Sequence, residues 1–207
     1  MATRLSRSEQ TEENRARVLA AAREVFLRRG FHAVSVDEIA EAAGFSRGVV
    51  YSQFGGKADL VLALLEVRIA ERAEQNRALA ADLAGVEGVR AIAAAGATDH
   101  EDNAEWVLLL LEFRVHAARD PELSARYAAL HRRTVAELAD TLAGLYARAG
   151  VDPPRPVRTL AHAMLAIASG IPLEWQVDRS ALGDDTTPVE VFAPVFDPAP
   201  PTGSRHP

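Results

Sequence analysis

The chain has 207 residues, of which 48% are hydrophobic, and a formal net charge of −6. This length and hydrophobic content suffice to bury the core of one or two ordinary domains. The absence of cysteine excludes disulfides, thiolate metal sites and cysteine nucleophiles, and it agrees with a reducing compartment. Charges interrupt every apolar run well short of a membrane span, and residues 1–14 lack the apolar region of a signal peptide. We therefore expect a cytoplasmic protein that makes no membrane contact.

Basic residues are concentrated toward the N-terminus. Up to Lys57 there are nine Lys and Arg against seven Asp and Glu, whereas the rest of the chain has fourteen against twenty-two. An excess of cations at one end favours an anionic partner there. The candidates for phosphate contacts in this region are Arg4, Arg7, Arg15 and Arg17. An arm that contacts nothing fits the same pattern equally well.

The N-terminal region predicts an arm followed by a helix. Residues 1–10 are polar, so we predict a flexible arm. A first helix is expected over residues 11–29, because apolar side chains recur at helical spacing and Gly30 follows as a stop signal. The predicted buried face of this helix is Val18, Leu19, Ala22, Val25 and Phe26. Residues 11–57 are expected to form one small domain.

Residues 35–54 predict a helix-turn-helix. Ser35 and Glu38 have the spacing of a capping box, which marks the start of a helix. Gly44 supplies a left-handed residue to end that helix, and a turn of about three residues follows. Ser46 is placed to cap a second helix. The predicted inward residues of the two helices are Val36, Ile39, Ala40, Ala43, Val50 and Phe54.

The outward residues of the second helix suit a nucleic-acid surface. They are Arg47, Gly48, Tyr51 and Gln53. Arginine can bind the O6/N7 edge of guanine and glutamine the N6/N7 edge of adenine. A tyrosine hydroxyl can bond a phosphate, and glycine permits a close backbone approach. An ordinary surface hairpin with solvated side chains is the alternative.

The residues after the hairpin strengthen the DNA-binding interpretation. Gly55 and Gly56 form a turn, and Lys57 then begins a long apolar helix beside the same surface, where it fits a phosphate clamp. In this order of motifs, residues 15–65 resemble the N-terminal domain of TetR-type transcriptional regulators. Val49 and Gln53 depart from the residues usual in that family. The predicted DNA-contacting residues are Ser35, Ser46, Arg47, Gly48, Tyr51, Gln53 and Lys57.

The rest of the chain predicts further helices and no strand, so the fold class is all-α. We expect residues 58–196 to form a helical regulatory domain and residues 197–207 a disordered tail. The acidic run at residues 99–103 resembles a metal site, but the zincin spacing fails because Ala104 stands where a second histidine is needed. A solvated loop with a helix cap is preferred. No cofactor or metal is expected.

The resemblance also implies partners and a mechanism. TetR-type proteins are homodimers that read palindromic operators in double-stranded DNA, and a small-molecule effector binds among their middle helices and changes the spacing of the DNA-reading domains. A repressor that releases its operator on ligand binding is the function implied. The candidate ligand-contacting residues are Trp106, Phe113, His116, Tyr127, His131 and His162. Core packing is the alternative for each aromatic residue, and a satisfied core or surface position for each histidine.

Two other classes of function stay open. A helical ligand-binding or interaction scaffold without specific DNA recognition would share the fold, and Val49 mildly favours it. An α-helical enzyme is the weaker alternative, because the sequence has no nucleophile elbow and no phosphate-binding loop.

Overall fold

The computed structural model describes residues 6–97 and 100–178, without the side chains of residues 97, 100–103 and 175. Within these ranges the chain forms α-helices and no strand, which confirms the all-α prediction. The helices are α1 (Arg7–Arg29), α2 (Val36–Ala43), α3 (Arg47–Phe54), α4 (Lys57–Ala81), α5 (Gly85–Ala97), α6 (His100–Ala117), α7 (Pro121–Ala149) and α8 (Val157–Val177).

The described residues divide into two compact units. The first contains the residues up to Arg68 together with Leu108–Tyr127, and the second contains Ile69–Val107 with the residues from Ala128 onward. Helices α4, α6 and α7 therefore each contribute to both units. The expected functional division after residue 57 remains a prediction, and it does not coincide with these compact units.

Helix α1 begins at Arg7, so the prediction of a flexible arm over residues 1–10 is wrong for residues 7–10. The reason is a second capping box. The backbone N–H of Glu9 donates to Ser6 Oγ over 3.2 Å, and the backbone N–H of Ser6 donates to Glu9 Oε2 over 2.7 Å. The buried residues of α1 are Val18, Ala22, Val25 and Phe26, as predicted, and Leu19 is half-buried.

The second unit has its own hydrophobic core. Its members come from α4, α5, α7 and α8, and they include Ala80, Val89, Ile92, Leu142, Tyr146, Leu160 and Met164. A Cβ at Gly88 would overlap the Leu145 side chain, so the glycine permits α5 and α7 to pack closely. Arg148 of α7 donates to the carbonyl of Ala80, in the last turn of α4, and to that of Leu83, just after the helix.

Several predictions fall outside what the structure describes. They concern Asp99 and the side chains of residues 100–103, residues 179–196 of the predicted regulatory domain, and the predicted tail 197–207. The backbone of residues 100–103 begins α6, so the loop preferred for this acidic run is wrong for these four residues. Among the described residues, there is no group of three or more His, Cys, Asp or Glu side chains that could hold a metal ion. In the same part of the chain, no helix combines the length and the apolar character that crossing a membrane requires.

Candidate nucleic-acid interface

The predicted capping box starts α2. The backbone N–H of Ser35 donates to Glu38 Oε2 over 2.8 Å, and that of Glu38 donates to Ser35 Oγ over 3.2 Å. Arg29 Nη1 donates to the other carboxylate oxygen, Glu38 Oε1, over 2.6 Å. The Ser35 backbone bond and then the Arg29 side chain lower the pKa of Glu38 from 4.5 to about 2. The carboxylate thus stays ionised at the entry to the hairpin.

The turn between α2 and α3 is fixed by backbone bonds and by Arg17. Gly44 adopts φ 72° and ψ 33°, the left-handed conformation that the sequence predicted. The N–H of Phe45 donates to the carbonyl of Ala40 over 2.9 Å. Arg17 of α1 donates through Nη2 to the carbonyl of Ala43 over 3.2 Å, and its Cζ lies 4.7 Å from the centroid of the Phe45 ring. A guanidinium therefore complements the C-terminus of α2.

Helix α3 is held in the same way, by Arg15. Val50 and Phe54 are buried as predicted, with exposed fractions of 0% and 6%. Arg15 donates through Nη1 to the carbonyl of Gln53 over 3.2 Å, and its Cζ lies 4.3 Å above the Phe54 ring. The prediction that the Ser46 side chain caps α3 is wrong, since in the described structure only its backbone takes part in starting the helix.

The outward face of α3 presents three of the four predicted residues to solvent: Arg47, Gly48 and Tyr51. The Arg47 guanidinium is paired with the Asp37 carboxylate, through Nη1 to Oδ2 and Nε to Oδ1, both at 3.3 Å. Its Cζ lies 5.0 Å from the centroid of the Tyr51 ring. Gln53 differs from the prediction, because it is half-buried and no group in the described chain donates to its buried Oε1.

Lys57 points into the domain as well as lying beside the surface. Its Nζ donates to the carbonyls of Phe31 and Val34, each over 3.0 Å, and lies 4.6 Å from the centroid of the Phe31 ring. An ammonium has three N–H groups, so two are used within the fold. A phosphate contact through the third stays a prediction.

The turn between α1 and α2 is also held from α6. Glu112 Oε2 accepts the N–H of Phe31 over 2.6 Å and that of His32 over 3.4 Å. Gly30 makes this approach possible, because it has φ +78° and a Cβ there would lie 2.7 Å from Glu112 Oε1. The sequence analysis missed Glu112, since nothing in the spacing links it to a turn eighty residues earlier.

The six candidate ligand-contacting residues are divided between the two compact units. Phe113, His116 and Tyr127 belong to the first unit, and Trp106, His131 and His162 to the second. Phe113 is buried, with its ring 5.8 Å from that of Phe31, and the exposed His116 has its ring 4.8 Å from Phe31.

The remaining candidates have different surroundings. Tyr127 is half-buried and accepts a bond of 2.6 Å from Arg114 Nε. Trp106 is buried, whereas the rings of the half-buried His131 and the exposed His162 are 5.9 Å apart. Core or surface packing explains Phe113 and His116, and a ligand contact stays a prediction for all six residues.

The arrangement in the first unit is that of a DNA-binding helix-turn-helix domain, and two family models match the chain. The model described as "Bacterial regulatory proteins, tetR family" matches residues 18–64. The model described as "BetI-type transcriptional repressor, C-terminal" matches residues 85–188, which is half of the chain. The chain belongs to the TetR family of bacterial transcriptional regulators.

Individual relatives agree with this assignment. The HTH-type transcriptional activator FasR of Mycolicibacterium smegmatis is 49% identical over 55 residues, which cover 27% of this chain and only 25% of FasR. UidR of Escherichia coli is 24% identical over 166 residues, covering 78% of this chain and 81% of UidR. The crystal structure of FadR from Bacillus subtilis in complex with stearoyl-CoA has a TM-score of 0.63 at 18% identity, covering 87% of this chain and 94% of FadR. The FadR likeness supports the fold.

Proposed function

We propose that this chain is a ligand-responsive transcriptional regulator that binds a palindromic operator as a homodimer. The observation that carries the proposal is the outward face of α3, where Arg47, Gly48 and Tyr51 are exposed. Arg15 and Arg17 of α1 stabilise the hairpin through hydrogen bonds to its backbone carbonyls. A rigid hairpin with exposed hydrogen-bonding side chains is suited to reading base edges in the major groove.

We infer that the regulator is a repressor and that a small molecule releases it from DNA. The match of the C-terminal residues to the model of a BetI-type transcriptional repressor supports repression, whereas FasR is named an activator. Stearoyl-CoA in the FadR structure is a precedent for a small-molecule ligand bound to this fold. Ligand must favour the state that does not bind DNA by about 1–3 kcal/mol to change operator occupancy appreciably.

A scaffold without specific DNA recognition is the second candidate. It is favoured by the internal bonds of Arg15, Arg17 and Lys57, because each was a candidate phosphate contact and each is engaged within the domain. Fewer free cations mean a weaker electrostatic attraction to the phosphate backbone. Catalysis is not part of the proposal.

Selection from randomised DNA duplexes tests both candidates without assuming where the operator lies. We expect enrichment of a palindrome, bound in fluorescence anisotropy more tightly than a scrambled duplex and with a steep salt dependence. Arg47→Ala should reduce specific binding by about 1–3 kcal/mol. Arg133→Ala, which changes an exposed arginine of α7, is the control. Absence of any enriched sequence would leave the scaffold.

The dimer requires a separate measurement. Sedimentation equilibrium should give twice the 22.3 kDa mass of the chain. A monomeric mass, with or without the selected duplex, would contradict two-fold recognition of a palindrome.

A further inference from the structure

The Arg47–Asp37 pair has a geometry that the stability of the hairpin does not explain. Asp37 is the second residue of α2 and Arg47 the first of α3, and their side chains are 61% and 63% exposed. Exposed ion pairs contribute little to folding, and the hairpin is already fixed by the Gly44 turn and by Arg17. Asp37 also complements the N-terminus of α2, but any acidic residue in that turn would do so.

On a DNA-binding surface an exposed carboxylate is unfavourable unless it has a second use, because it repels the phosphate backbone. Asp37 lies beside the arginine best placed to read a base. The Asp37 carboxylate accepts one hydrogen bond from Arg47, from Nη1 to Oδ2 over 3.3 Å, and Arg47 Nε lies 3.3 Å from its other oxygen. Four N–H groups of the guanidinium remain, one on Nε, one on Nη1 and two on Nη2.

Two of them, the Nε–H and the adjacent N–H of Nη2, are parallel donors on one edge of the guanidinium. A guanine needs two parallel donors for its O6 and N7 atoms, and this edge provides them. The Tyr51 ring, 5.0 Å from Arg47 Cζ, restricts the guanidinium on another side. A long side chain held in this way loses less conformational freedom when it binds a base.

We propose that Asp37 is a positioning residue for Arg47, and that the Asp37–Arg47 ion pair presents the free edge of the guanidinium to one guanine in each half-site. The inference rests on the proposed function, since it requires sequence-specific DNA binding. Asp37 then raises discrimination by orienting Arg47 toward guanine, whereas its repulsion of the phosphate backbone lowers the affinity for every duplex by the same factor.

The test compares two duplexes: the sequence selected by the wild-type protein, and the same duplex changed at the guanine whose preference disappears in Arg47→Ala. Asp37→Asn should lower the affinity ratio of the two duplexes by about three- to tenfold. Glu41→Gln is the matched control, because it removes an exposed carboxylate from the same helix. It should change both affinities by the same factor and leave the ratio unchanged.

Two further variants separate positioning from general repulsion. Asp37→Glu keeps the charge and should retain part of the discrimination. Adding Asp37→Asn to Arg47→Ala should not lower the ratio further, because the positioned group is already gone. Circular dichroism melting checks that each variant is folded. The inference would be overturned if Asp37→Asn left the affinity ratio of the two duplexes unchanged. It would also be overturned if Asp37→Asn lowered that ratio equally in the wild-type protein and in Arg47→Ala. A wild-type protein with no sequence preference would instead reject the proposed function, and the inference with it.

Discussion

The Lys57 ammonium joins two carbonyls of the turn between α1 and α2 to the start of α4. Phe31 and Val34, whose carbonyls it bonds, are each only 2% exposed. A buried carbonyl without a donor is costly, so this lysine has a structural role as well as any role on DNA. The two roles predict different consequences when the amine is removed.

Lys57→Met keeps most of the aliphatic chain but removes both bonds. We expect the free energy of unfolding, measured with urea, to fall by about 1–3 kcal/mol. The control is Arg28→Met, whose partner Glu24 lies 3.0 Å away on the exposed face of α1; such a pair is worth about 0–1 kcal/mol. If Lys57→Met were as stable as the control and lowered the salt slope of DNA binding by about one, the amine would act on phosphate instead.

At the scale of elements, α2 depends on an ionised cap. Glu38 has a pKa of about 2 in the folded chain against an ordinary 4.5. A lowered carboxyl pKa means that the cap stabilises the fold above about pH 4.5, and that this stabilisation is lost as the pH falls from there to about 2. The bonds from the Ser35 backbone and from Arg29 are the main causes of the lowered pKa, and the Arg29 contribution can be removed by substitution.

Arg29→Met removes one of these causes and leaves the Ser35 backbone bond. The Glu38 carboxyl carbon, followed by NMR, should titrate near pH 2 in the wild-type protein and higher in this variant. The stability difference between the two proteins should narrow as the pH falls below about 4.5, because protonated Glu38 no longer pairs with Arg29. Identical titration midpoints would show that Arg29 does not stabilise the carboxylate.

The hairpin could be predicted from sequence because its signals are local. Ser35, Glu38 and Gly44 lie within one helix length, and each acts on backbone a few residues away. The partners of Arg15, Arg17 and Glu112 could not be found in this way, since their acceptors or donors are 26 to 81 residues distant. One local clue was available: neither α2 nor α3 has a basic residue in its last turn, so their carbonyls needed donors from elsewhere.

At the scale of the whole molecule, α4, α6 and α7 each run from one compact unit into the other. Within the first unit, Glu112 of α6 accepts a hydrogen bond from an N–H group of the turn before α2. Lys57 of α4 donates to a carbonyl of the same turn. Movement of α4 or of α6 would therefore be transmitted to this turn, and each helix is a candidate route by which a bound ligand changes the hairpin. Both routes remain proposals.

Glu112→Gln tests whether α6 holds that turn. A neutral amide accepts a weaker bond than a carboxylate, so hydrogen exchange of the Phe31 amide should accelerate by about fivefold or more. Glu105→Gln changes an exposed glutamate in the part of α6 that belongs to the second unit, and should leave the Phe31 amide unaffected. An unchanged Phe31 exchange rate in Glu112→Gln would mean that Glu112 does not hold the turn.

Lys57 is the only lysine in the sequence, so the chain has a single side-chain amine. That amine is half-buried and donates to two carbonyls, and an acylating reagent needs it free and unprotonated. The rate at which the side chain is acylated therefore reports how often the turn before the hairpin opens. Any compound that changes this rate could be recognised by mass spectrometry alone, before an operator is known.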